Sequence, residues 1–145
     1  MSDEAAAAAP QRGPGSIVWT DLTVPDADPV RDFYRAVVDW ETEDVEMGGY
    51  ADYAMRPAGA ASRVAGVCHR RGVNADLPAQ WLIYIAVDDL DASLARCRER
   101  GGELIAGPRA ETEGARFAVI RDPAGAVAAL IESSGEAGAA SGEAT

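Results

Sequence analysis

Among the residues of this 145-residue chain, four have side chains whose type and setting bear on chemistry: Asp21, Tyr84, His69 and Cys68. Asp21 stands in the otherwise apolar stretch Ser16 to Val24. Residues two apart share one face of a strand, so Trp19, Asp21 and Thr23 belong together. A carboxylate on an apolar face loses hydration, and its pKa rises unless it is paired. Such a group can act as a general base or receive a ligand's amine or hydroxyl; a buried acid satisfied by its own neighbours is the alternative. His69 is the only histidine, so imidazole chemistry of any kind must use it. It lies at a strand end beside Arg70 and Arg71, off the face of Asp21, where an exposed strand-end histidine is the plainer reading. Cys68 has no histidine beside it on its own face and reads as a small core residue rather than a nucleophile.

The elements that must position these groups follow from pattern. Trp81 to Val87 is apolar and β-branched, the composition of a buried strand. Asp88 or Asp89 then caps a helix whose Leu90, Leu94 and Cys97 form one stripe, and Gly101-Gly102 ends it. Ser16 to Val24 begins a second copy, with Asp26 and Asp28 at the cap, Pro29 in the first turn, and Val30, Tyr34 and Val37 as the stripe. Val24 and Val87 register the copies 63 residues apart. The same offset aligns Asp26 with Asp89, Arg35 with Arg98, and RVAGV (63–67) with AVAAL (126–130). It also sets Tyr84 at the position symmetric to Asp21, where a Tyr–Asp hydrogen bond can form. A repeat of this size implies two similar modules.

Further strands are expected at 40–47, 50–56 and 62–69, and again at 103–106, 116–121 and 126–132. Turns with Gly and Pro separate them, the clearest being Asp122-Pro123-Ala124-Gly125. Each module is therefore β-α-β-β-β, and the fold class is α+β. Module one covers 16–70, a linker 71–79 and module two 80–132. Residues 1–15 and 133–145 are rich in Ala, Gly, Ser and Pro and read as mobile tails.

The formal net charge of −11 opposes partnership with nucleic acid or an anionic membrane, both of which need a basic patch. Neither of the two cysteines, Cys68 and Cys97, has a CxxC partner, so nothing suggests a disulfide or a zinc knuckle. The N-terminus is acidic and no long apolar run follows it, which makes the cytoplasm the expected compartment.

Three stretches, LTVPDADPVRDFY (22–34), IAVDDLDASLARCRERGG (85–102) and FAVIRDPAGAVAALIE (117–132), resemble the vicinal oxygen chelate superfamily of glyoxalases, bleomycin-resistance proteins and extradiol dioxygenases. The resemblance implies a curved mixed sheet with a hollow. In the metal-using members, each module contributes two His, Gln or Glu ligands to that hollow. Those positions fall here on Trp19, Leu82, Gly66 and Ala129, none of which offers a lone pair to a cation. No metal and no cofactor are therefore expected.

The hollow's walls are then Trp19, Asp21, Gly66, Cys68, Leu82, Tyr84 and Ala129, mostly apolar with few polar groups, which suits a small organic ligand. Trp81, Tyr53 and Met55 are added as aromatic or soft contacts for a flat ligand. The first reading is a metal-independent binder of an aromatic or cationic small molecule. The alternative is a metal-free isomerase, cyclase or hydrolase with Asp21 as base and Tyr84 or His69 assisting. Glyoxalase or dioxygenase chemistry using Asp21, His69 and Glu132 is disfavoured, because parity turns the last two away from the hollow. The family resemblance also implies a homodimer.

Overall fold

The structure, a computed structural model, describes residues 13–110 and 114–132. Module one runs β1 (Ile17–Val24), α1 (Ala27–Val38), β2 (Glu41–Glu46), β3 (Ala51–Arg56) and β4 (Ala65–His69). Module two repeats it as β5 (Trp81–Ala86), α2 (Leu90–Glu99), β6 (Glu103–Ala110), β7 (Arg116–Arg121) and β8 (Val127–Glu132). The strands form one mixed eight-stranded sheet in the order β2-β3-β4-β1-β5-β8-β7-β6. The chain is thus α+β, with each module as half of the sheet and β1 and β5 joining the halves.

The ladder registers reproduce the internal repeat. Asp21 lies opposite Gly66 in the parallel β1–β4 pair, and Tyr84 opposite Ala129 in the parallel β5–β8 pair. Each residue of the second pair lies 63 positions beyond its counterpart in the first. Across the antiparallel β1–β5 seam, Trp19 meets Tyr84 and Asp21 meets Leu82. That is what a two-fold relation between the modules demands, since each position faces the mate of the other.

Both helices start on an aspartate. Asp26 accepts from the Asp28 N–H at 3.3 Å, and Asp89, not Asp88, accepts from the Ala92 N–H at 3.1 Å. The helices cover one face of the sheet. Ala27, Val30 and Tyr34 of α1 pack on Tyr53, Met55, Ala65 and Val67, with Trp40 and Trp81 around them. Under α2, Leu90 and Leu94 pack on Ala118 and Leu130. A third cluster occupies the opposite, concave face: Leu77, Leu82, Tyr84, Ala106, Phe117, Val119 and Ala129.

Four expectations change. Val37 is 60% exposed, and Trp40, just beyond the end of α1, packs against the inner cluster in its place. β4 starts at Ala65 rather than 62, and β6 runs past 106 to Ala110. The linker is not merely surface loop: after a short 3-10 turn (Gly72–Asn74), Leu77 enters the concave cluster and is 2% exposed. Gly15, assigned to the first tail, is tied to the sheet by its N–H donating to Ala86 O at 2.8 Å. The remainder of both expected tails, 1–12 and 133–145, lies outside the described residues.

Candidate functional site in the concave face

Strand alternation puts Trp19 and Asp21 on the concave face of β1, and the indole N–H of Trp19 donates to Asp21 Oδ1 at 2.6 Å. The Tyr84 hydroxyl, from the neighbouring strand, also hydrogen-bonds this carboxylate. The Tyr–Asp contact expected from the repeat is therefore present. Gly66 makes the arrangement possible. A Cβ at this position would lie 2.3 Å from Asp21 Oδ1 and 3.6 Å from the Trp19 indole nitrogen. The carboxylate occupies the space that any larger side chain at residue 66 would need.

Burial pushes the Asp21 carboxyl up from 3.8 to about 6, and the buried carboxylate of Asp52 adds to the rise. The hydrogen bonds from Trp19 and then Tyr84 oppose it without cancelling it. An acid in this state exchanges its proton close to neutral pH, within the range a general base needs.

The four positions that carry ligands in metal-using relatives, Trp19, Leu82, Gly66 and Ala129, surround this carboxylate through the ladder pairs given above. They do not fit a divalent cation. Indole is a donor only, and the other three side chains have no lone pair. The Asp21 carboxylate beside them is already accepting two hydrogen bonds.

Not all of the expected wall assembles. Trp19, Asp21, Gly66, Leu82, Tyr84 and Ala129 come together as reasoned, and Cys68 follows Gly66 along the same face of β4. Trp81, Tyr53 and Met55 do not join them. Their strand positions are one out of phase with Leu82 and Gly66, so all three face α1. The Trp81 indole donates to the Tyr34 hydroxyl at 3.1 Å. The Tyr53 hydroxyl donates to Asp28 Oδ1, which pushes its pKa up to about 12, and Arg31 stacks over its ring. These three pack as structural residues beneath α1, Tyr53 and Met55 from module one and Trp81 from β5 of module two.

His69 is likewise turned from the hollow. Its Nδ1 lies 3.3 Å from Asp52 Oδ1, and its Nε2 lies 3.7 Å from both Asp26 and Asp28. The ligand atoms of Asp26, Asp28 and His69 lie within 4.8 Å of one another, the one such grouping among the described residues. It sits at the start of α1, away from the position of the family metal. Glu132 is paired with Arg116 at 3.0 Å, His69 with Asp26, Asp28 and Asp52, and Asp21 with Trp19 and Tyr84, so the three do not converge.

Two participants escaped sequence reasoning. Asp52, 4% exposed, accepts from the His69 backbone N–H at 2.8 Å and raises the pKa of Asp21. Alternation within β3 could have found it, since 52 is out of phase with Tyr53 and Met55. Leu77 fills module two's half of the hollow, and its signal was a lone leucine in a polar linker. A shallow depression lined by Asp32, Arg35, Ala36, Asp39 and Trp40 lies beside α1 on the outer surface and includes none of these groups.

Comparison with known proteins agrees with this architecture. The family model described as Glyoxalase/Bleomycin resistance protein/Dioxygenase superfamily matches residues 16–130. The "Putative glyoxylase CFP32" of Mycobacterium tuberculosis is 33% identical over 118 residues, which cover 81% of this chain and 44% of that protein. The anthracycline biosynthesis protein DnrV of Streptomyces peucetius is 35% identical over 128 residues, covering 81% and 46%. The chain thus spans less than half the length of these curated relatives. Among solved structures, methylmalonyl-CoA epimerase from Mycobacterium tuberculosis superposes with a TM-score of 0.54 at 21% identity, covering 86% of this chain and 91% of that one. A Bacillus halodurans hypothetical protein, BH1468, gives a TM-score of 0.56 at 15% identity, covering 84% and 96%. Identities this low speak for the shared fold alone. No helix among the described residues is long and apolar enough to cross a membrane.

Proposed function

The chain belongs to the Glyoxalase/Bleomycin resistance protein/Dioxygenase superfamily, and from that premise we propose that it binds a small organic ligand in the concave face against Asp21, without a metal at the four family positions. One observation carries this reading. The carboxylate of Asp21, which lies beside those positions, is held by Trp19 and Tyr84 over a glycine that leaves it room. A polar group fixed on an apolar wall is how a small-molecule site obtains orientation and specificity. The wall suits a flat, apolar body, and the carboxylate suits an amine or hydroxyl on it.

The test is binding by Asp21→Asn. Aromatic amines and phenols, screened by thermal shift and followed by calorimetry, are expected to bind the native chain. The variant should lose at least about tenfold in affinity, the worth of one charge-assisted hydrogen bond. Unchanged affinity in the folded variant would remove Asp21 from the site.

A second reading has its own support. A carboxyl with its pKa near 6 is suited to take a proton from carbon or oxygen, so a metal-free isomerase, cyclase or hydrolase with Asp21 as base uses the same geometry. Turnover of a bound ligand, lost in Asp21→Asn with binding retained, separates the base from the binder. A cytoplasmic location and a homodimer complete the proposal. Light scattering at micromolar concentration tests the dimer, with a monomer mass counting against it.

A further inference from the structure

The inner surface of module two contains a cation in an unusual state. Between Ala106 and Arg109 the register of β6 on β7 slips, and Arg109 then lies directly opposite Phe117. Directly paired residues on neighbouring strands present their side chains to the same face. Phe117 belongs to the concave cluster with Leu77, Leu82, Tyr84 and Ala129. Arg109 therefore rises on the concave side, and its Nη2 reaches Asp76 Oδ2 at 3.1 Å, one residue before Leu77. Its Nη1 is sealed from solvent and has no hydrogen-bond partner, the one buried side-chain nitrogen or oxygen so placed among the described residues.

A buried donor on a charged group is costly to leave unmade, and one that persists needs an explanation. A guanidinium is a planar fork whose two prongs match the two oxygens of a carboxylate. Here one prong is on Asp76 and the other is idle. The Asp76 side chain is 66% exposed, so its hold on Arg109 is weak and exchangeable.

We propose that Arg109 anchors a carboxylate of the ligand taken by the concave face. This rests on the ligand-binding reading above and adds the ligand's chemical class: an apolar, flat-bodied organic acid. The acid replaces Asp76 on the guanidinium and engages Nη1 as well. Because Nη1 has no solvent contact, this exchange requires the segment around Asp76 and Leu77 to shift.

Matched probes test it. Benzoate, 1-naphthoate and indole-3-acetate are each compared with their primary amides by calorimetry on the full chain. At least one acid is expected to bind tenfold or more tighter than its amide. Arg109→Gln should abolish that preference while leaving amide binding within about twofold. Asp76→Asn, which frees the guanidinium, should tighten the acid about threefold and leave the amide unchanged. Equal binding of acid and amide, or a preference that survives Arg109→Gln, overturns the role of Arg109 and leaves the ligand-binding reading in place. Failure of every probe of both kinds counts against both.

Discussion

The two halves of the sheet share a backbone plan and differ in what they do with it. In module one the concave positions are Trp19, Asp21 and Gly66, with buried Asp52 and Thr23 nearby. Their counterparts in module two are Leu82, Tyr84 and Ala129, packed with Phe117 and Val119 under Leu77. The ladders in which these residues sit superpose at the same 63-residue offset, yet one half is polar and partly open and the other is hydrophobic core. Duplication of the backbone therefore does not duplicate chemistry. Around Asp21 the charge comes from module one and module two contributes one hydroxyl across the seam, while module two's own cation, Arg109, stands on its edge strand β6. Substitutions on either side of the seam should have unequal effects.

The largest effect is expected on the packed side. Leu77→Ala removes a fully buried side chain from the concave cluster and should destabilise by about 2–5 kcal/mol in urea unfolding. Val64→Ala, on an exposed valine of module one, should change stability by less than about 0.5 kcal/mol. Similar losses from the two would mean that both halves are equally packed.

The next effect depends on pH. The Asp21 carboxyl has its pKa raised from 3.8 to about 6 in the fold, so the folded chain binds the proton more tightly than the unfolded chain. Its contribution to stability is therefore greatest below pH 4 and is lost as the pH rises through 6. Asp21→Asn removes that loss. The variant should be more stable than the native chain by up to about 3 kcal/mol at pH 8, with the gain vanishing near pH 4. Chemical denaturation at both values checks it, and a gain that is flat with pH would mean that Asp21 is not desolvated. At the symmetric position, Tyr84→Phe should show no such pH-dependent gain.

Gly66→Ala and Ala129→Gly compare one pair of positions across the repeat. The first inserts a Cβ 2.3 Å from Asp21 Oδ1 and should cost about 1–3 kcal/mol. The second deletes a buried methyl and frees backbone, and should cost about 1 kcal/mol. In an Asp21→Ala background the first cost should largely disappear, because the clash is with that carboxylate alone. The second should be unchanged. A double-mutant cycle with no coupling between residues 66 and 21 would break the packing account.

How far the sequence reveals this asymmetry follows from where its information lies. Strand alternation and the repeat are periodic, so they locate Trp19, Asp21 and Tyr84 on one face and pair them before any coordinates. Periodicity fails where a second element decides the environment. Tyr53, Met55 and Trp81 carry the side chains of a binding wall, but α1 lies over their face and makes them core. Leu77 sits in a linker with no period, and only the fold shows that the linker crosses the hollow. Asp52 resembles any strand acid until the ladder brings it near β4. The open state of Arg109 is likewise invisible in sequence, since it depends on a slip in the β6 register.

The smallest expected effect separates the two modules most finely. Asp21 accepts one hydrogen bond from its own strand, through Trp19, and one from across the seam, through Tyr84. Both favour the ionised form and hold the pKa below the value that burial alone would set. Removing either donor should therefore raise it above 6. Trp19→Phe should raise it more than Tyr84→Phe, because the indole bond is the stronger influence. Carbon-detected NMR titration of the Asp21 carboxyl measures both shifts in otherwise native protein. The larger shift from Trp19→Phe would mean that module one sets its own acidity and module two only trims it. The reverse order would place control of the carboxylate on the far side of the seam, and the two halves could no longer be described as one that holds the acid and one that supports it.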